Sequence, residues 1–363
     1  MRNRRLSTTA FLCQSLLTIA VTVVLADDKR MEKVQPAAAA DFSLQGEYSG
    51  VLSQGMNSPA PFGLQLIAQG DGQFEAVLYA GGLPGAGATG EKQKLAGKLA
   101  NHKLVLNGPR LRVEIENGAA TVQDEAGNRG GHLAKVERHS RTLGLAPPPN
   151  SLLLFDGGST AAFHDGKLAS DGSLLAGAIT GFPVGDFRLH LEFRTPFMPQ
   201  AKGQARGNSG VYIQQRYELQ ILDSFGLEGA ENECGGLYKQ RRPELNMCLP
   251  PLTWQTYDIW FTAARFDACG NKLCCARITV WHNGVPIHRD YEITAKTGAG
   301  KAEGPDTLPI LLQDHGNPVT FRNIWMTTAT TIRTTTQNYS HAQPIRVEEP
   351  SHCCRRALFA RRR

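Results

Sequence analysis

No repeated Cys-x-x-Cys pair, no long amphipathic helical pattern and, once the two ends are set aside, no surplus of positive charge occurs in this 363-residue sequence. The first absence argues against a structural zinc site, which needs four soft ligands at close, repeated spacing. The second, together with 38 Gly and 20 Pro, points to many turns and an all-β chain. The third removes nucleic acid as a partner. Of 39 Lys and Arg, three lie in the first five residues and five from Ser351 onward, leaving 31 against 33 acidic residues in the body. Residues 81–92, GGLPGAGATGEK, are rich in glycine, but they lack the G-x-x-x-x-G-K-[ST] spacing and following helix of a phosphate cradle.

What is present begins with an export signal over residues 1–26. Arg2, Arg4 and Arg5 precede an apolar run over residues 10–25, and Val24 and Ala26 give a small-residue cleavage pattern before Asp27. The run is short for a membrane span of roughly 20 residues, so a secreted or periplasmic protein without a stable span is expected. Cys13 leaves with the signal, and Cys234, Cys248, Cys269, Cys274, Cys275, Cys353 and Cys354 remain in a compartment that permits disulfides. Cys234 with Cys248, and Cys269 with Cys274 across a Gly-Asn turn, are the pairs that spacing suggests. Sequence alone fixes neither.

Residues 27–41 read as a flexible leader. Residues 42–138 carry short strand-like pieces spaced by turns, a small β domain. Three consecutive prolines, Pro147, Pro148 and Pro149, cannot donate ladder hydrogen bonds, so residues 139–150 are expected to form an extended linker. From residue 151 to 328 about ten strand-like segments follow, which argues for two packed antiparallel sheets. Asn283-Gly284 in WHNGVPIH accepts positive φ and predicts a two-residue hairpin, with His282 and His288 on a solvated face. Residues 329–363 read as a basic tail, disordered at its end.

The chemistry concentrates in YELQILD, residues 217–223. Strand alternation points Glu218 and Gln220 one way and Asp223 the other, and a β-bulge between Gln220 and Asp223 would bring both acids to one face. Arg206, Asn208 and Gly210 lie just upstream. Gln313, Asp314 and His315, then Arg322 and Asn323, add polar groups within apolar strands. Together these would line one concave polar face. Trp260 reads as core, whereas Trp254 could stack on a sugar ring.

As a set, GNSGVYIQQRYELQILDS, WQTYDIWF, VWHNGV and LLQDHGNPVTFRNIW resemble the 3-keto-disaccharide hydrolase domain family, also described as 3-keto-glucoside 1,2-lyase and hydratase. The resemblance covers residues 151–328 and implies a concanavalin-like jelly-roll β-sandwich similar to laminarinases. ELQILD looks like their Glu-x-Asp-x-x-Glu strand motif with Gln220 and Asp223 in place of two acids. The resemblance implies a carbohydrate partner, a 3-keto glucoside or disaccharide, cleaved by C2 proton abstraction, elimination of the C1 substituent and hydration. Glu218 or His315 would be the base, Asp223 the acid or an orienting group, and Arg206 or Arg322 the oxyanion partner. Gln220, Asn208 and Gln313 would read hydroxyls. No cofactor is required by the sequence, and a divalent metal at Glu218, Asp223 or His315 would polarise the ketone. A conventional glycoside hydrolase and a non-catalytic lectin are the alternatives.

Overall fold

A computed structural model describes residues 36–53 and 58–328 of the chain. The export signal, the first part of the leader, the basic tail, and Cys13, Cys353 and Cys354 lie outside the described residues. Where a flexible leader was expected up to residue 41, Pro36–Leu44 forms a helix. It is tied to the first domain through Asp41 and Gln45, whose side chains accept from the Gly72 and Ala68 N–H groups. Among the described residues no helix is long and apolar enough to cross a membrane.

The small β domain is a closed eight-stranded barrel, from Gly46–Leu52 through to Arg129–Val136, which pair with each other to close it. Its interior is filled by alternating apolar residues such as Leu64, Leu66, Leu78, Leu104, Val113 and Leu133. Ile67, Val77 and Tyr79 point out of the barrel instead and join the core of the second domain. Gly226 makes that contact close: a Cβ there would fall 2.5 Å from Ile67 Cδ1.

The second domain is an all-β sandwich. One sheet runs Phe163–His164, Ile179–Thr180, Leu311–Leu312, Ser209–Ile213 and Tyr217–Ile221; the other runs Leu174–Leu175, Thr320–Thr328, Phe187–Arg194, Gln255–Thr262, Ala276–His282 and Val285–Ile293, with Leu152–Phe155 also on Thr320–Thr328. Val211, Ile213, Tyr217, Leu219 and Ile221 of the first sheet meet Leu189, Leu191, Phe193, Ile259 and Phe261 of the second in one apolar core. Period-2 alternation therefore leaves the intervening residues of each strand on the two outer faces.

The expected hairpin at Asn283-Gly284 is present, with φ of 53° and 76° at the two turn residues. Two neighbouring expectations are corrected. His282 and His288 are fully buried, the first against Gln255 Oε1 at 3.0 Å and the second against the Gly235 carbonyl at 2.7 Å. Trp260 is not core; it lies half-buried on an outer face beneath Arg188, 4.0 Å from its ring centroid.

The linker is not a free spacer either. Ser140 Oγ meets Thr256 Oγ1 at 2.6 Å, Thr142 Oγ1 donates to Asp258 at 2.7 Å, and the Gly144 N–H donates to Glu192 at 2.5 Å. Leu145 contributes its carbonyl to Asn323 and Trp325. The segment is a strap across the outer face of the larger sheet, because that face carries buried polar groups that need partners.

Burial holds the His282 imidazole down to about 3 and that of His288 to about 4, so both are neutral in the fold. Unfolded imidazoles titrate near 6.5, so as pH falls below about 6.5 the unfolded chain takes up protons that these two sites refuse, and their contribution to stability declines. Ring-proton NMR shifts should show both residues still neutral at pH 5 in folded protein. Titration of either near 6.5 would contradict their burial.

Candidate active site

The strands Ser209–Ile213 and Tyr217–Ile221 pair with Gly210 opposite Gln220 and Tyr212 opposite Glu218. Because Val211, Leu219 and Ile221 enter the core, Gly210, Tyr212, Glu218 and Gln220 share the outer face of the smaller sheet. The Gln313 N–H donates to the Gly210 carbonyl at 2.8 Å and brings the strand end after Leu312 alongside. A Cβ on residue 210 would stand 2.9 Å from Glu218 Oε1 and 3.3 Å from Gln313 Oε1. Only glycine lets these two side chains converge there.

This outer face is buried because loops wall it in. The segment 235–238 adds to the free edge of Tyr217–Ile221: the Gln220 N–H donates to the Gly236 carbonyl and the Tyr238 N–H to the Glu218 carbonyl, at 2.9 and 3.1 Å. Thr297 Oγ1 accepts from the Glu218 N–H at 2.6 Å. Gly298 presses against the Tyr238 ring and lies near Glu218 Oε2. Asn208 is anchored by the side chain of Asn317, which accepts from its N–H, and by Gln204, whose carbonyl accepts from its amide.

Within this enclosure burial raises the Glu218 carboxyl above the ordinary range, opposed by the Tyr212 hydroxyl, which donates to Oε2 at 2.7 Å, and by nearby His315. Burial, and then Glu218, push the Tyr212 phenol up in turn, so it stays a donor. With its amide nitrogen assigned to the side facing the carboxylate, Gln220 donates to Glu218 Oε1 and to the Ser209 carbonyl, each at 3.0 Å. Gln313 Oε1 is buried with no hydrogen-bond partner in the protein, an acceptor suited to a ligand hydroxyl. His315 is exposed at the mouth. Glu218, Gln220, Asn208, Gln313 and His315 are thus brought together as expected, and Tyr212 joins them. Sequence reasoning missed Tyr212 because an aromatic in an apolar strand looks like core; its place opposite Glu218 across a short turn was the available signal.

The remaining candidates lie elsewhere. The pairing of Tyr217–Ile221 with Ser209–Ile213 is regular, so the expected bulge is absent from it, and the strand ends at Ile221. Leu222 then turns into the core and Asp223 meets Arg206 Nε at 2.7 Å, both side chains buried. Arg206 also donates to the carbonyls of Ala68, in the barrel, and Pro199. Asp223 and Arg206 therefore form an ion pair that ties the sandwich to the barrel, not the acid and oxyanion partner expected of them. Arg322 and Trp254 are on the other side of the sandwich: Arg322 Nε donates to Glu192 at 2.6 Å, and its guanidinium stacks 4.2 Å from the Trp254 ring centroid. They do not join Glu218, because Thr320–Thr328 belongs to the larger sheet.

Among the described residues no group of three His, Cys, Asp or Glu is placed to hold a metal ion. With Asp223 held by Arg206, the metal arrangement considered over Glu218, Asp223 and His315 does not fit. A cavity of about 530 Å³ lies between barrel and sandwich, lined by Ile67, Val77, Lys94, Leu95 and Glu228 among others. Glu218 and its neighbours take no part in it.

Residues 150–327 match the family model of the 3-keto-alpha-glucoside-1,2-lyase-like domain. The sandwich belongs to that family. Three crystal structures of candidate glycosyl hydrolases from Parabacteroides distasonis are similar to this lyase-like domain. The first is 30% identical, covering 50% of this chain and 84% of the other, with a TM-score of 0.47. A second is 18% identical over 49% of this chain and 93% of the other, TM-score 0.37. The third is 20% identical over 49% and 99%, TM-score 0.35. No curated protein matches the chain. Membership of the lyase-like family makes the sandwich a carbohydrate-active enzyme domain.

Two substitutions separate the cleft from the ion pair. Gly210→Ala should fold normally yet lose at least tenfold in turnover, since its methyl group displaces Glu218; equal turnover would remove the convergence at residue 210 from the site. Asp223→Ala should cost about 3 kcal/mol or more in urea unfolding by stranding Arg206, and Arg206→Met in the same chain should recover part of it. An Asp223→Ala protein of unchanged stability and lost turnover would return Asp223 to the chemistry.

Proposed function

We propose that the sandwich cleaves 3-keto glycosides by elimination and hydration, with Glu218 as the base that removes the C2 proton. A ketone at C3 acidifies that proton, because the electron pair left on C2 spreads onto the C3 oxygen as an enolate. Collapse of the enolate forms a C1–C2 double bond and breaks the bond from C1 to the aglycone oxygen, which leaves with a proton. Water then adds across the double bond.

The observation that carries this reading is the environment of Glu218. A free carboxylate is a weak base, and burial that raises it matches it better to a carbon acid. The Tyr212 hydroxyl holds the carboxylate in one orientation while it does so. His315, exposed and near enough to act on Glu218, would protonate the departing oxygen. Gln313 and Asn208 offer amide groups to the ring hydroxyls. The cleft carries no Asp223 carboxylate near Glu218, so the paired acids of a double-displacement glycosidase are not assembled there. The same proposal sets the reaction outside the cytoplasm, on the export signal read in residues 1–26.

Incubation of the full chain with a 3-keto disaccharide in D2O tests the reading. Elimination followed by hydration releases the aglycone and leaves deuterium at C2 of the keto sugar, read by mass spectrometry. Glu218→Gln should lower turnover by a factor of about 100 or more, and wild-type turnover should fall as acid protonates the raised Glu218 carboxyl. Release of reducing sugar from an unoxidised disaccharide would favour a conventional hydrolase. Glycan binding without cleavage, unchanged in Glu218→Gln, would favour a lectin.

A further inference from the structure

The wall that closes over Glu218 begins at Cys234, and the long loop it opens returns to the core at Cys248. Both side chains are buried, at 0% and 2% exposure, and each thiol acts electrostatically on the other. Cys234 Sγ lies 3.2 Å from the Tyr257 hydroxyl, and Cys248 Sγ lies 3.6 Å from the Leu222 carbonyl. Tyr257 donates in turn to the Gln220 carbonyl at 2.7 Å. The pair therefore sits directly behind the strand that carries Glu218 and Gln220, and both cysteines are thiols in this structure.

We propose that Cys234 and Cys248 are a disulfide site whose oxidation fixes the segment 235–238, and with it Tyr238, against the cleft. Two buried thiols that act on one another in a closed pocket need little movement to bond, whereas Cys269 is exposed to solvent. The oxidant is a small disulfide such as oxidised glutathione. One S–S bond forms between the cysteines, the S–S bond of the oxidant breaks, and the two protein hydrogens leave on its two released thiols. Closing this loop removes freedom from the unfolded chain, and the Gly235 and Gly236 backbones that pair with Gln220 lose the option of peeling from the strand edge.

The test uses the full chain equilibrated with oxidised glutathione, denatured, alkylated without reductant and digested with trypsin, which cuts between the two cysteines after Lys239. The peptides bearing Cys234 and Cys248 should travel as one species, lighter by two hydrogens than their sum. Alkyl label on both, or linkage of either to another cysteine, overturns the proposal. Reduction should also lower the thermal midpoint of the oxidised chain on the order of 5 °C and shift nothing in Cys234→Ala/Cys248→Ala. A midpoint indifferent to reductant in both proteins overturns it as well. Neither readout depends on turnover, so failure here leaves the elimination chemistry to its own test.

Discussion

A β-strand covered on both faces has no water to satisfy its polar side chains, and Tyr217–Ile221 is such a strand: all five of its residues are buried. Its inward face is ordinary core. Its outward face, Glu218 and Gln220, can exist only because Tyr212, Gln220 and the surrounding loops supply hydrogen bonds that water would otherwise provide. The lack of a side chain at Gly210 and the loop 235–238 along the strand edge are consequences of that requirement. Remove the enclosure and Glu218 becomes a solvated surface acid with an ordinary affinity for protons.

Much of this arrangement was legible in the sequence, and the limit is a physical one. Alternation in YELQILD correctly placed Glu218 and Gln220 on one face, and Asn283-Gly284 correctly marked a hairpin through its backbone preference. Period-2 patterning states which residues share a face of a strand. It does not state which sheet the strand joins. Leu311–Leu312 and Thr320–Thr328 are separated by a short turn, yet the first pairs with Ser209–Ile213 and the second with Phe187–Arg194. Gln313 and Arg322, nine residues apart, therefore end on opposite sides of the sandwich. His282 and His288 misled for a related reason: an imidazole beside a turn looks solvated until a carbonyl or amide buried with it is known.

The strap over residues 140–145 shows the same rule from the other side. The proline triplet signals extended chain, yet what docks on the sheet face is a run of turns just before it, closed by the Leu143 N–H on the Ser140 carbonyl and the Leu145 N–H on the Thr142 carbonyl. Glu192, His190 and Asp258 form that face, with His190 only 2.7 Å from Asp258 and stacked on Trp325 at 5.1 Å between ring centroids. Burial alone would push the imidazole down, and Asp258 and Glu192 more than reverse it, so His190 is raised. His190 thus steadies the two carboxylates that accept from Thr142 and Gly144 of the strap.

Glu192 and Glu218 make the decisive comparison, because both are almost completely buried and burial pushes both upward. Glu192 is nonetheless held down to about 2, because His190, Asn323, the Gly144 N–H and Arg322 all favour its charged form. Glu218 has only the neutral Tyr212 hydroxyl and Gln220 amide at hydrogen-bond distance and a histidine acting through space, and it remains raised. A carboxylate surrounded by donors has spent its proton affinity on structure. One enclosed with few donors keeps that affinity for a substrate, and the difference lies in partners rather than in depth. By that criterion Asp223 is the intermediate case: its burial is complete and its carboxyl is raised, but Arg206 occupies the position a reacting proton would need. The donors around each acid, and for Asp223 the fixed charge of Arg206, distinguish Glu218 from Glu192 and Asp223 more than any place in a motif.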